Sequence, residues 1–189
     1  MKNLSLPALL IPALALLSAC ASGPQKLSTN PQLDYLEEGK VVQLQYNLHP
    51  DDRLHRLYNT NYQLGTLLPR CTPVTLVRFN KKMVTFALES GVQYNWIFEK
   101  HVRADRAKHF GEFFVPQCEN IQDLSEIDQQ GISLGQALVG MTKRGVLFAL
   151  SLPPDHKTPS LDADLWTYWR NKVVRTTVRF EDGVVVEVK

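Results

Sequence analysis

Residues 165–189 read LWTYWRNKVVRTTVRFEDGVVVEVK. Three runs rich in β-branched and aromatic residues, 165–170, 173–180 and 184–188, are parted by turn formers. Asp182-Gly183 is a strong hairpin signal, because both central positions of a type I′ turn require positive φ. Asn171-Lys172 supplies the turn of the first pair. The pattern predicts a three-stranded antiparallel meander. Just upstream, Thr142 is a good N-cap, since its hydroxyl can accept an otherwise orphan backbone N–H. The helix it opens runs to about Leu150, with Val146, Leu147 and Leu150 on one face. Pro153-Pro154 stop that helix and begin a loop through Asp164. Residues 132–139 read as an earlier short helix closed by Gly140. The expected unit, over 122–189, is α+β: two helices and a meander, αα-βββ.

That plan is carried by the string Gly140-Met141-Thr142-Lys143, by Val146, Leu150 and Pro153-Pro154, and by Trp166-Thr167-Tyr168-Trp169 and Phe180-Glu181-Asp182-Gly183-Val184. It resembles the SmpA/OmlA family, the BamE-type small lipoproteins, over roughly residues 131–189. The resemblance implies an αα-βββ fold and a role as an accessory subunit in outer-membrane β-barrel assembly. The chain departs from the simplest members in carrying an additional β-rich region before this unit. Gly145 and Ser151 also stand where the family tends to have an acidic or polar helix former and a C-terminal glycine. Similar αα-βββ units occur in unrelated binding proteins, including protein inhibitors of enzymes, so the fold alone does not assign a function.

A β-rich domain with a basic connection is expected over 35–118; from 35 to about 98 apolar side chains alternate, in short runs at 41–46, 73–79, 83–88 and 93–98. Asn80-Lys81-Lys82 and Glu89-Ser90-Gly91 separate them, and residues 64–68, before Pro69, offer a fifth strand. Such spacing predicts a small all-β barrel or sandwich. Tyr58-Asn59-Thr60-Asn61, followed by Leu67-Leu68-Pro69-Arg70-Cys71-Thr72-Pro73-Val74, resembles SH3-like barrels of exported bacterial proteins. Residues 99–112 (EKHVRADRAKHFGE) change character and read as a short polar helix or an exposed connection. A boundary between the two units is expected near 116–122.

The N-terminus carries a targeting signal. Lys2 is followed by an apolar stretch over 4–17 that includes Pro7 and Pro12. It is too short for a hydrocarbon core of roughly 30 Å, which asks for about 20 apolar residues, so residues 1–19 read as a signal peptide. Leu17-Ser18-Ala19-Cys20 resembles the bacterial lipobox. The resemblance implies cleavage before Cys20, diacylglycerol on its thiol and acylation of its new amino group. Each buried CH₂ adds about 0.8 kcal/mol of membrane affinity. Ala21 and Ser22 follow, without an aspartate, as in outer-membrane lipoproteins whose soluble part faces the periplasm. Residues 20–34 then read as a flexible tether. The two remaining cysteines, Cys71 and Cys118, invite a disulfide in an exported protein, the alternative being two separate buried thiols.

Chemistry is scarce. The chain has 189 residues and a formal net charge of +2, with no global field for nucleic acid. It contains no His-Glu-x-x-His, no Cys-x-x-Cys and no phosphate loop. The densest ligand-like group, HPDDRLH at 49–55, fits no zinc spacing and reads as a solvated turn. A Cys118 and His109 pair would lose its thiolate to a disulfide. We therefore expect no enzyme, no cofactor and no metal. Lys100, Arg103, Arg106 and Lys108 form a basic segment for anionic lipid or cell-wall groups, diluted by Glu99, Asp105 and Glu112. Trp166 and Tyr168 cannot share a strand face with Trp169. One set packs on the helices, and the other, with His156 and Lys157 of the neighbouring loop, is a natural partner anchor. Two functions follow as expectations: a protein-binding or scaffold subunit of the envelope, or a cell-wall or ligand-binding module that recognises through its N-terminal β-rich part.

Overall fold

A computed structural model describes residues 23–98, 105–171 and 173–189. The signal peptide, Cys20, Lys100 and Arg103 lie outside the described residues. The fold is mixed, an N-terminal curled sheet followed by helices and a C-terminal meander.

The first unit contains β1 (Val41–Leu44), β2 (Arg56–Tyr58), β3 (Pro73–Phe79), β4 (Met83–Leu88), β5 (Gln93–Ile97), α1 (Arg106–Phe113) and β6 (Phe114–Val115). Its strands form one six-stranded sheet in the order β2-β5-β4-β3-β1-β6. All pairs are antiparallel except β2 with β5. In β3, Val74 and Leu76 point inward, a bulge at Leu76/Arg78 resets the phase, and Phe79 turns inward again. The sheet curls as an open half-barrel over Leu44, Phe86, Trp96 and Phe114.

Four expectations change here. Residues 64–68 form no strand; Leu68 makes only an isolated bridge to Leu48. The short strands β2 and β6 are additional, each held by a partner distant in sequence. Of the short polar helix or exposed connection expected over 99–112, the described part is a helix, but not a wholly polar one: α1 starts on an Asp105 cap and buries His109, Phe110 and Phe113 beneath the sheet. The described part of the expected tether, from residue 23 on, is packed on the fold. Leu27 N donates to Leu36 O at 2.8 Å, Lys26 bridges Glu37, and Leu27 and Leu33 pack on the core. Their apolar side chains outweigh the Ser, Pro and Asn around them.

The second unit comprises α2 (Glu126–Leu134), α3 (Lys143–Leu150), β7 (Leu165–Trp169), β8 (Arg175–Glu181) and β9 (Val184–Val188), the sheet running β7-β8-β9. The meander and α3 match the sequence reading, with Thr142 as N-cap and Asp182 and Gly183 both at positive φ. The first helix lies earlier than expected. Ser125 caps it by accepting from Asp128 N, and Gly135 ends it in the left-handed region at φ 64°. Residues 136–139 are therefore outside it. Strand β8 also begins later, because Asn171 Oδ1 accepts from Val173 N and Val174 N and holds both valines in the turn.

The two units interlock. Asn47 N donates to Phe148 O, Asn61 Nδ2 to the carbonyls of Leu150 and Leu152, and Gln63 N to Trp169 O. Tyr46 packs against both cores. Cys71 and Cys118 form the expected disulfide, Cα atoms 5.3 Å apart, which ties the entry of β3 to the segment after β6.

Candidate functional site

Strand β7 decides which aromatic residues can meet a partner. Trp166 and Tyr168 lie on the face covered by α2 and α3 and are fully buried. Trp166 packs on Phe180, ring centroids 4.7 Å apart. The Tyr168 hydroxyl donates to Ser151 O at 3.0 Å, and burial, with Tyr46 beside it, raises its pKa well above the ordinary value. These two residues are core, and the expectation that they contact a partner is withdrawn: they present no surface.

Trp169 occupies the other face and is half-buried. After α3 the chain turns at Ser151, φ 60°, and Pro153-Pro154 send it back along β7. Thr158 fixes the return: its N–H bonds Pro154 O, and its Oγ1 accepts from Thr167 N at 3.0 Å. That brings His156 and Lys157 to Trp169. The imidazole stacks at 6.3 Å and 17°, and Lys157 Nζ lies 5.9 Å from the ring centroid. From the paired strand, the Arg175 guanidinium lies 5.3 Å from the same centroid. Beside this group the hairpin tip exposes Val173 at 83% and Val174 at 47%.

Arg170, next along the chain, joins this surface to a cleft of about 440 Å³ between the two units. Its walls include His49, Gln63, Leu67, Leu134 and Val188, and Arg170 is its only lining residue with a formal charge. Burial lowers the His49 pKa, opposed by the Gly65 and Gly135 carbonyls and by Asp52. Nothing local in the sequence marks this cleft, because its walls come from both units.

Of the basic segment only Arg106 and Lys108 are among the described residues, and neither stands as a free cation on an open face. The Arg106 guanidinium lies 6.0 Å from the Phe110 ring centroid, donates to Met83 O at 3.3 Å, and has its pKa lowered by burial. Lys108 is exposed but shares a small cavity with Asp105, Glu112 and Asp155. His109, at the back of that cavity, is boxed by Trp96, Phe98, Phe110 and Phe113, and burial pushes its pKa down to about 4. Cys118 is oxidised and offers no thiolate. In HPDDRLH, Asp51 Oδ1 accepts from Leu54 N within the turn and Asp52 Oδ2 accepts from Thr66 N, tying the turn to the neighbouring loop. Among the described residues no cluster of His, Cys, Asp and Glu could hold a metal ion, and no helix is long and apolar enough to cross a membrane.

Comparison with protein-family models, curated proteins and solved structures finds no match to this chain.

Proposed function

We propose that this chain is a lipoprotein of the bacterial outer membrane, anchored through Cys20 with its folded part in the periplasm. There it acts without catalysis as a protein-binding or scaffold subunit, in outer-membrane protein assembly or envelope maintenance. The observation that carries the binding role is the group around Trp169, an accessible aromatic ring with three basic side chains held against it by two segments. A half-buried tryptophan on a rigid strand suits an interface anchor, since it contributes large contact area with few rotamers to order. The disulfide fits an oxidising compartment, and the lipobox and the SmpA/OmlA-like motifs supply the envelope setting.

Photo-crosslinkers placed at Lys157 and at Trp169 in intact cells test this reading. A discrete protein adduct from both positions, lacking from a crosslinker at Glu89 on the far sheet, is the expected result; no adduct from either overturns it. Cys20→Ala is expected to release the protein from membranes, and unchanged fractionation would remove the anchor from the proposal.

A further inference from the structure

The meander treats its cations in two ways. At the end near β9, each has a carboxylate: Lys143 pairs with Asp164 at 3.4 Å, Arg179 with Glu187 at 3.6 Å, and Lys189 with Glu187 at 2.8 Å. At the Trp169 end, Lys157, Arg170 and Arg175 have none among the described residues, and no side-chain nitrogen of the three donates to a protein acceptor. A guanidinium carries five N–H donors and an ammonium three. Contact with an indole face satisfies the charge in part and none of those donors. Two of these uncompensated cations, Lys157 and Arg175, thus converge on the Trp169 ring at one end of a sheet whose other end is neutralised, while Arg170 lines the cleft on the opposite face.

We infer that the partner seated on this surface presents a carboxylate-rich segment, Asp or Glu side chains bridging Lys157 and Arg175 across the edge of the Trp169 ring, with an apolar neighbour against Val173 and Val174. This rests on the protein-binding role proposed above and names the chemistry of the partner. A carboxylate can engage a guanidinium through two parallel hydrogen bonds, which gives direction as well as attraction. The exposed valines add the apolar contact that charge pairing alone does not supply. An acidic protein segment is favoured over an anionic lipid surface because Trp169 is half-buried under His156 rather than projecting from the tip. A side chain held there meets a shaped partner better than it enters a headgroup layer.

The test uses the whole mature chain. A labelled peptide of alternating Glu and Leu, and its Gln and Leu counterpart, are titrated by fluorescence anisotropy against the protein and its Lys157→Gln/Arg175→Gln double variant. Both substitutions are at exposed positions outside the core. Saturable binding of the acidic peptide is expected. It should fall about tenfold or more in the double variant, as loss of charge-assisted hydrogen bonds implies, and weaken with salt. Equal binding of the two peptides, or no change in the double variant, overturns the inference. So does retention on phosphatidylglycerol vesicles, lost in the double variant, when the acidic peptide does not bind. Crosslinking in cells separates the two levels: an adduct that persists in the double variant keeps the partner and removes the acidic segment, and absence of any adduct removes both.

Discussion

Asp128 Oδ1 lies where a Cβ on Gly145 would come within 1.9 Å of it. The carboxylate is fully buried between α2 and α3. It accepts from Thr142 N at 2.7 Å and from Ser125 Oγ at 2.7 Å, so one side chain joins the caps of both helices. A glycine inside a helix ordinarily costs about 1 kcal/mol relative to alanine. Here the missing Cβ makes room for the joint. Gly145→Ala should therefore destabilise, by about 2 kcal/mol, as overpacking of a filled site does. Urea unfolding of Gly145→Ala, Asp128→Ala and the double variant measures this. The cycle is expected to show coupling of about 1 kcal/mol or more, and additive losses would place the strain elsewhere.

His109 gives the fold a pH dependence with a defined sign. Its folded pKa, about 4, lies below the ordinary 6.5, so the native state binds fewer protons than the unfolded chain in that interval. Stability is full above the unfolded value and falls as pH drops toward the folded one, by about 3 kcal/mol in total. His49 shifts in the same direction. Glu112 opposes them: burial, with Asp155 beside it, raises its pKa against the pull of Lys108, so its protonation favours the folded state as pH falls. His109→Phe keeps a ring in the aromatic box. It should flatten the loss of stability between pH 6.5 and pH 4.5, and an unchanged slope in urea unfolding would assign the acid sensitivity to other groups.

Cys71 and Cys118 are 47 residues apart, and on the chain-entropy model closing such a loop stabilises by about 4 kcal/mol. The ends are also held without the bond. Cys118 N donates to Gln43 Oε1 at 2.8 Å, Glu119 N donates to Gln45 Oε1 at 3.1 Å, and the Arg70 guanidinium bonds Glu119 O. Replacing both cysteines by serine should lower the urea midpoint substantially while the native circular dichroism remains. Added reductant should lower the midpoint of the wild type alone. Equal response of both proteins to reductant would contradict this account.

The elements legible in the sequence are those governed by adjacent residues. Thr142 announced its helix by a local hydroxyl, and Asp182-Gly183 announced its turn by backbone preference. The first helix is not legible from periodicity, because its apolar residues are sparse and its limits are set by Ser125 and Gly135. Strands β2 and β6 escaped because two or three residues carry no alternation of their own and depend on distant partners. For β7, alternation divided Trp166 and Tyr168 from Trp169, but which set met the helices depended on packing. The two cations at Trp169, Lys157 and Arg175, come from separate segments, and their lack of carboxylates is a property of the assembled surface.

Asn47 tests whether the two units unfold as one. It is 1% exposed, donates through Nδ2 to Ile132 O at 2.6 Å, and accepts Arg70 N on Oδ1 at 2.8 Å. Asn47→Ala leaves the part-buried Arg70 N–H without its partner and takes one of two donors from the Ile132 carbonyl, which keeps Gly135 N, at a cost of about 2 kcal/mol. Asn47→Asp should be worse, since it sets a carboxylate oxygen against the Ile132 carbonyl in place of a donor. Trp96 lies in the first core and Trp166 in the second, so fluorotryptophan NMR can follow each through a urea titration. If the seam couples the units, both indoles report one midpoint in the wild type and both shift together in Asn47→Ala. A midpoint for Trp166 that ignores the substitution would mean that the C-terminal meander stands on its own core, and that its contacts with residues 47–63 position it without stabilising it.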